Sequence, residues 1–391
     1  MRNFLALGVS IASFVVVASV GAQMPSPFSA ATYWPKSLEP QGAPPAQWSE
    51  AEKSLAPQDC GQCHTEQLAQ WQSSRHARSI SPGVLGQLLT FDAGDTAECL
   101  QCHAPLAEQR MAFEQARAGA QAGHDERLGL AAAGNSCGGC HLRLHHRFGP
   151  PERGTGAVGP GATPAAHDGV MRAQFFEQSE FCSHCHQFPA DRAVNGKPLE
   201  NTLVEWQASP QFLQGVTCQA CHMPDRRHLW RGIHDPDTVR NGLTARTSAN
   251  AERARFEISN TGVGHAFPTY VTPAIIMHAV ALDGAGAPLR DTERTHVIAR
   301  RVRYGNDGWT EISDTRLMPL ETAAIELPWN GSDRIRVWLE VVPDDYYATA
   351  VYPDLLQTLP KDQEPSRLIA KAAADAAASK FSLFEFELRR P

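Results

Sequence analysis

The sequence predicts two unlike parts: an irregular domain of short helices and loops over residues 46–250, then an all-β, sandwich-like domain over 251–391. Three observations predict this division. All ten cysteines lie between residues 60 and 221. The same stretch is rich in Gly, Pro and His, which interrupt any long periodic run. After residue 250 cysteine vanishes and β-branched or aromatic runs take over.

The chain opens with "MRNFLALGVSIASFVVVASVGAQ", in which Arg2 precedes an apolar run and Val20-Gly21-Ala22 stands before Gln23. This pattern reads as a secretory signal peptide over residues 1–22, too short and wrongly flanked for a stable membrane anchor. No cysteine follows it closely, which argues against a lipid anchor. Residues 23–45 form a Pro-rich leader, expected to wrap the surface or to be mobile.

The cysteines then follow one rule. Cys60 and Cys63 are followed by His64, Cys99 and Cys102 by His103, and Cys137 and Cys140 by His141. Cys182 and Cys185 are followed by His186, and Cys218 and Cys221 by His222. Five CxxCH motifs use all ten cysteines. A zinc site would not require a histidine after each second cysteine, and a disulfide framework would not repeat that offset. Two thiols on one turn can form thioethers to the two vinyl groups of a haem, with the adjacent imidazole falling over the iron. The pattern therefore predicts five covalently bound haems c, with His64, His103, His141, His186 and His222 as proximal ligands. The fold class that follows is a multihaem cytochrome domain, with short helices and loops packed around haems, plus the all-β domain. Residues 149–164, "GPPERGTGAVGPGATP", divide the third motif from the fourth. Trp-Gln-x-Ser occurs twice, in "QWQSSRH" after the first motif and in "EWQASPQF" before the fifth.

Beyond residue 250, "RARFEISNTG", "AIIMHAVALD", "HVIARRVRYG", "RIRVWLEVVP" and "KFSLFEFELRR" read as strands. The alanine-rich run near 365–380 reads as a helix inserted before the last strand and packed on the sheet. Lys+Arg number 35 against 42 Asp+Glu, and no basic stripe suggests a nucleic-acid partner.

The distal faces of the irons decide between electron transfer and small-molecule chemistry. Eleven of the sixteen histidines lie outside the proximal positions, so five distal histidines are affordable but not compelled. His167 follows the Gly/Pro loop, His228 and His234 flank Trp230 just after the fifth motif, and His265 stands between small residues at a strand end. Each is a candidate metal ligand. His124, His145 and His146 are weaker, while His184, His278 and His296 read as packing or surface residues.

"CGQCHTEQLAQWQSSRHARS" is similar to the opening of the cytochrome c554-like multihaem cytochromes. "FCSHCHQF", the stretch from "TLVEWQASPQF" to "RGIHDPD", and "SNTGVGHAFPT" resemble periplasmic multihaem cytochromes in which a β-domain begins with Gly-x-Gly-His-x-x-Pro. The resemblance implies that His76 is a distal ligand; twelve residues past His64, it would reach a neighbouring haem more naturally than its own. Tyr270 stands where the pattern often has Gly, so the turn there is expected to differ.

The expected function is a periplasmic or exported carrier of electrons between a respiratory donor and a downstream acceptor, with redox proteins as partners. One alternative is an oxidoreductase acting on a small nitrogen or sulfur compound at an open haem. Pentahaem nitrite reductases use a Cys-x-x-Cys-Lys motif for that haem, and none exists here. Another is a structural subunit of a cytochrome complex or filament.

Overall fold

The structure is a computed structural model that describes residues 28–118, 128–153 and 166–391. The expected signal peptide, His124 and most of the Gly/Pro loop fall outside the described residues. No helix among the described residues is long and apolar enough to cross a membrane.

The first part is built from short helices separated by turns. Polar caps and prolines set their starts: Ser81 caps Pro82–Leu88, Asp92 caps Ala93–His103, and Ser209 caps Pro210–Leu213. The longest described helix here is Ala107–Ala118, with 12 residues. Three short strands, β1 (Leu142–Arg143), β2 (His146–Gly149) and β3 (Met171–Arg172), form a small sheet beside the third motif.

The leader departs from expectation. Residues 28–38 enter the interior, where Tyr33 is fully buried and its ring meets Phe148 and Phe175. Its hydroxyl donates to the Cys140 carbonyl at 2.8 Å. Trp34 stacks on His184 at 5.1 Å between ring centres. Burying such aromatic surface outweighs the proline content, so this segment is part of a core.

The second part begins with β4 (Leu243–Ala249) and β5 (Arg253–Asn260), slightly earlier than the expected boundary. It continues with β6 (Ala274–Ala281), β7 (Arg294–Ile298), β8 (Arg300–Gly305) and β9 (Gly308–Asp314). β10 (Thr322–Pro328), β11 (Arg334–Val342) and β12 (Phe381–Arg389) complete it. Antiparallel sheets of order β10-β5-β4 and β12-β11-β6-β7 enclose one core, and β8-β9 forms a separate hairpin. Alternation selects the inward residues: Phe256 and Ile258 from one sheet meet Met277, Ile335 and Leu339 from the other. Each such side chain contributes about 1.5–3 kcal/mol on burial.

Two sequence expectations change here. "HVIARRVRYG" is not one strand, because the chain breaks at Ala299, whose N–H and C=O both bond Thr315, and passes from one sheet to the hairpin. The inserted helix, Glu364–Ala378, packs on Pro82–Leu88 of the first part rather than on the sheet. Glycines make that approach possible. A Cβ at Gly83 would lie 2.2 Å from the Tyr352 hydroxyl, and one at Gly86 would lie 2.8 Å from Ile369.

Candidate haem-binding sites

Each motif sits on a helical turn, which brings both thiols to one side and aims the histidine inward. Cys137–His141 and Cys218–His222 are five-residue helices, whereas Cys99, Cys102 and His103 end a longer one. The ten cysteines are free of disulfides. One cavity of about 2990 Å³ is lined by all ten, by the five motif histidines and by His76, His167, His228, His234 and His265. A cavity of this size, ringed by paired thiols and imidazoles, suits several porphyrins in contact.

The outer nitrogens of four motif histidines are fixed. Nδ1 of His103 donates to the Ser79 carbonyl at 2.6 Å, that of His141 to Phe148 at 2.8 Å, and that of His222 to Arg231 at 2.6 Å. His186 differs, donating to the Glu200 carboxylate at 2.8 Å. Burial works against the charged form of His186, yet Glu200 outweighs it and pushes the imidazole up to about 9. With Nδ1 engaged, each ring presents Nε2 to the cavity, the arrangement metal-ligating histidines use.

Three of these rings face a second histidine. His141 and His228 stand 6.1 Å apart between ring centres, His186 and His76 6.3 Å, and His222 and His265 6.4 Å. An iron-bound imidazole has its nitrogen about 2 Å from the metal and its centre about 1 Å beyond, so two across one iron stand roughly 6 Å apart. Burial drives His76 down to about 3 and His228 and His265 down to about 4, with neighbouring histidines adding to the effect. All three are therefore neutral, the ligating form.

The other candidates are placed differently. His167 lines the same cavity as His64; its Nδ1 donates to the Gly169 carbonyl at 3.1 Å, and among the described residues no hydrogen bond engages its Nε2. His234, expected as a ligand, instead directs Nε2 at Asp344, 3.0 Å away, so that nitrogen is already engaged. Among the described residues no facing ring pair of this kind involves His64 or His103. Near the second motif, the β-rich part contributes Tyr270 and Tyr347, both close enough to Cys99 for its charge to act on their hydroxyls. Their pKa values rise, mainly through burial, with Tyr347 at about 12. His145 is a buried turn residue at φ 61° whose Nε2 bonds the Gly42 carbonyl.

Thiol contacts give the order of the motifs in space. Cys60 lies close enough to Cys137, Cys102 to Cys185, and Cys182 to Cys218 for each thiol to act on the other. The neighbouring thiol, with burial, drives Cys137, Cys185 and Cys182 up, whereas Cys60, Cys102 and Cys218 are lowered. Cys140 in turn acts on Cys182 and Cys185. The first motif thus meets the third, the third meets the fourth, and the fourth also meets the second and fifth.

The Trp-Gln-x-Ser echo has a structural meaning that sequence reading missed. The Trp71 indole donates to the carbonyl of Asn135, two residues before Cys137, and the Trp206 indole to that of Val216, two before Cys218. Glu200 was also missed. Its signal was Asn195-Gly196, a hairpin turn that returns the chain to His186.

Residues 59–142 match the family described as cytochrome c554 and c-prime. No curated protein matches the sequence. The fold resembles that of a penta-heme cytochrome c552 from Thermochromatium tepidum, with a TM-score of 0.60 at 19% identity, over 87% of this chain and 100% of that one. Residues 59–142 thus resemble the cytochrome c554 and c-prime family, within a chain that is a multihaem c-type cytochrome.

Proposed function

We propose that the chain carries five haems c and moves single electrons between a respiratory donor and a downstream acceptor protein, outside the cytoplasm. The three facing histidine pairs carry this reading, since an iron held on both faces by imidazole exchanges electrons without binding substrate. Cys60 and Cys63, Cys99 and Cys102, Cys137 and Cys140, Cys182 and Cys185, and Cys218 and Cys221 would supply the thioethers. His64, His103, His141, His186 and His222 would be proximal ligands. His228 would complete the iron of His141, His76 that of His186, and His265 that of His222. His167, which lines the cavity with its Nδ1 engaged, is assigned to the iron of His64. Bound haem supplies one-electron chemistry; the chain supplies ligands, spacing and local charge. The thiol contacts imply a path through motifs one, three, four and five, with motif two as a branch on four.

A second reading applies to the branch alone. Among the described residues no histidine ring faces His103, and Tyr270 and Tyr347 stand near Cys99, which favours an open iron there and small-molecule binding. Low-temperature electron paramagnetic resonance of the oxidised protein, with spin integration and a nitrite or hydroxylamine titration, tests both. The carrier reading predicts low-spin signals that ignore the added molecule. His76→Ala, His228→Ala and His265→Ala should each convert one haem to high spin. A native high-spin haem that responds to the titrant would favour the second reading, and unchanged spectra in all three variants would sink the ligand assignment.

A further inference from the structure

We infer that Glu200 is a positioning residue that lowers the reduction potential of the haem at the fourth motif, the one that touches three others. The inference rests on the proposed ligation of that iron by His186 and His76.

The local sequence explains how Glu200 reaches His186. Asn195 and Gly196 take φ values of 52° and 80°, as a tight hairpin turn requires. The strands they join pair at Val194–Lys197 and again at Gln187–Asn201, and Phe188 N–H donates to the Glu200 carbonyl at 2.9 Å. That register sets Glu200 across from Phe188, two residues beyond His186, with its carboxylate on His186 Nδ1. The hairpin is held from the β-rich part. Arg300, fully buried, donates to the carbonyls of Val194, Lys197 and Pro198 and pairs with Glu311 at 2.7 Å. Glu200 is thus an anchored group rather than a mobile surface carboxylate.

The chemistry follows from the difference in acceptors. His103, His141 and His222 give their outer proton to neutral carbonyls, but His186 gives it to an anion. A carboxylate draws that proton away and makes the ring a stronger electron donor to iron. A stronger donor, with a negative charge behind it, stabilises ferric over ferrous iron. The fourth motif meets the second, third and fifth through its cysteines, so the effect acts on the junction of the path.

The test is spectropotentiometric titration of the haem-loaded protein, native and Glu200→Gln, with each component assigned by its paramagnetic signal. His76→Ala identifies the fourth-motif signal by abolishing its low-spin form. In Glu200→Gln that haem should stay low-spin while its potential moves positive and the third- and fifth-motif haems move less. Glu200→Asp, which keeps the charge, should recover part of the shift. Reduced imidazolate character should also widen the spread of that signal's g values. An unmoved or more negative potential, with the haem still low-spin, would overturn the role of Glu200 alone. A fourth-motif haem that is not six-coordinate in the native protein would overturn the ligand assignment and this inference together.

Discussion

The two Trp-Gln-x-Ser segments share one construction and complete it with different chemistry. In the first, the Trp71 indole holds the chain ahead of Cys137, and Gln70 accepts the His228 N–H at 2.8 Å. In the second, the Trp206 indole holds the chain ahead of Cys218, and Glu205 accepts the Ala266 N–H at 3.2 Å, beside His265. His228 faces His141 and His265 faces His222, so each segment grips both sides of one candidate haem. Buried Ser74 and Ser209 close each turn onto the tryptophan carbonyl. The difference lies in the residue before the tryptophan. Gln70 is neutral, whereas Glu205 is a buried anion that also bonds Thr269 and pairs with buried Arg316 at 2.9 Å. A clamp within the haem part can use an amide. The clamp that ties a β-rich loop to a haem uses an ion pair, whose strength depends on keeping both charges.

Glu205→Ala should therefore break the second clamp most severely. Among the described residues it leaves buried Arg316 with Asp314 as its remaining carboxylate and removes the acceptor for Ala266 and Thr269. The expected loss is about 3–5 kcal/mol, read as a lower denaturation midpoint together with high-spin conversion of the His222 haem. Retained stability and spectrum would mean that Glu205 merely fills space.

Acid should separate the clamps next. Burial disfavours the Asp314 carboxylate, but hydrogen bonds and charges from Arg316 and Lys197 outweigh this and hold it well below the usual carboxylate range. Its stabilisation is complete above its unfolded value of about 3.9 and is lost as pH falls through the lower folded value. Lowering the pH below about 4 should thus loosen the second clamp through Arg316. The low-spin signal of the His222 haem should fade before that of the His141 haem, and simultaneous loss would contradict the distinction. Gln70→Ala should do least, costing about 1 kcal/mol through one hydrogen bond. It should shift the His141 haem signal without abolishing it, and an effect as large as that of Glu205→Ala would refute the comparison.

Much of this molecule is legible in local sequence. CxxCH fixes two thiols and an imidazole within one helical turn, so covalent attachment and the proximal ligands need nothing remote. Alternation likewise exposes β5, β6, β11 and β12, because a strand with one buried face repeats every second residue. β4, β9 and β10 escape notice because "LTARTSA", "GWTEISD" and "TAAIELP" are too polar or too short of aromatic residues to read as strands before a partner covers them. The leader is misjudged for the opposite reason, since its prolines hide Tyr33 and Trp34, whose burial only a folded core supplies.

Only the tertiary structure decides which histidine faces which. His76 meets a ring from the fourth motif, His228 one from the third, and His265 crosses from the β-rich part to the fifth, while His234 turns to Asp344. Glu200 belongs with these, carried to His186 by a hairpin turn and a buried arginine from another sheet. By itself the sequence determined the attachment chemistry, because that is set by covalent spacing along the chain. Pairing and tuning were decided in three dimensions, because an axial bond or a carboxylate contact depends on long-range packing that no local spacing encodes.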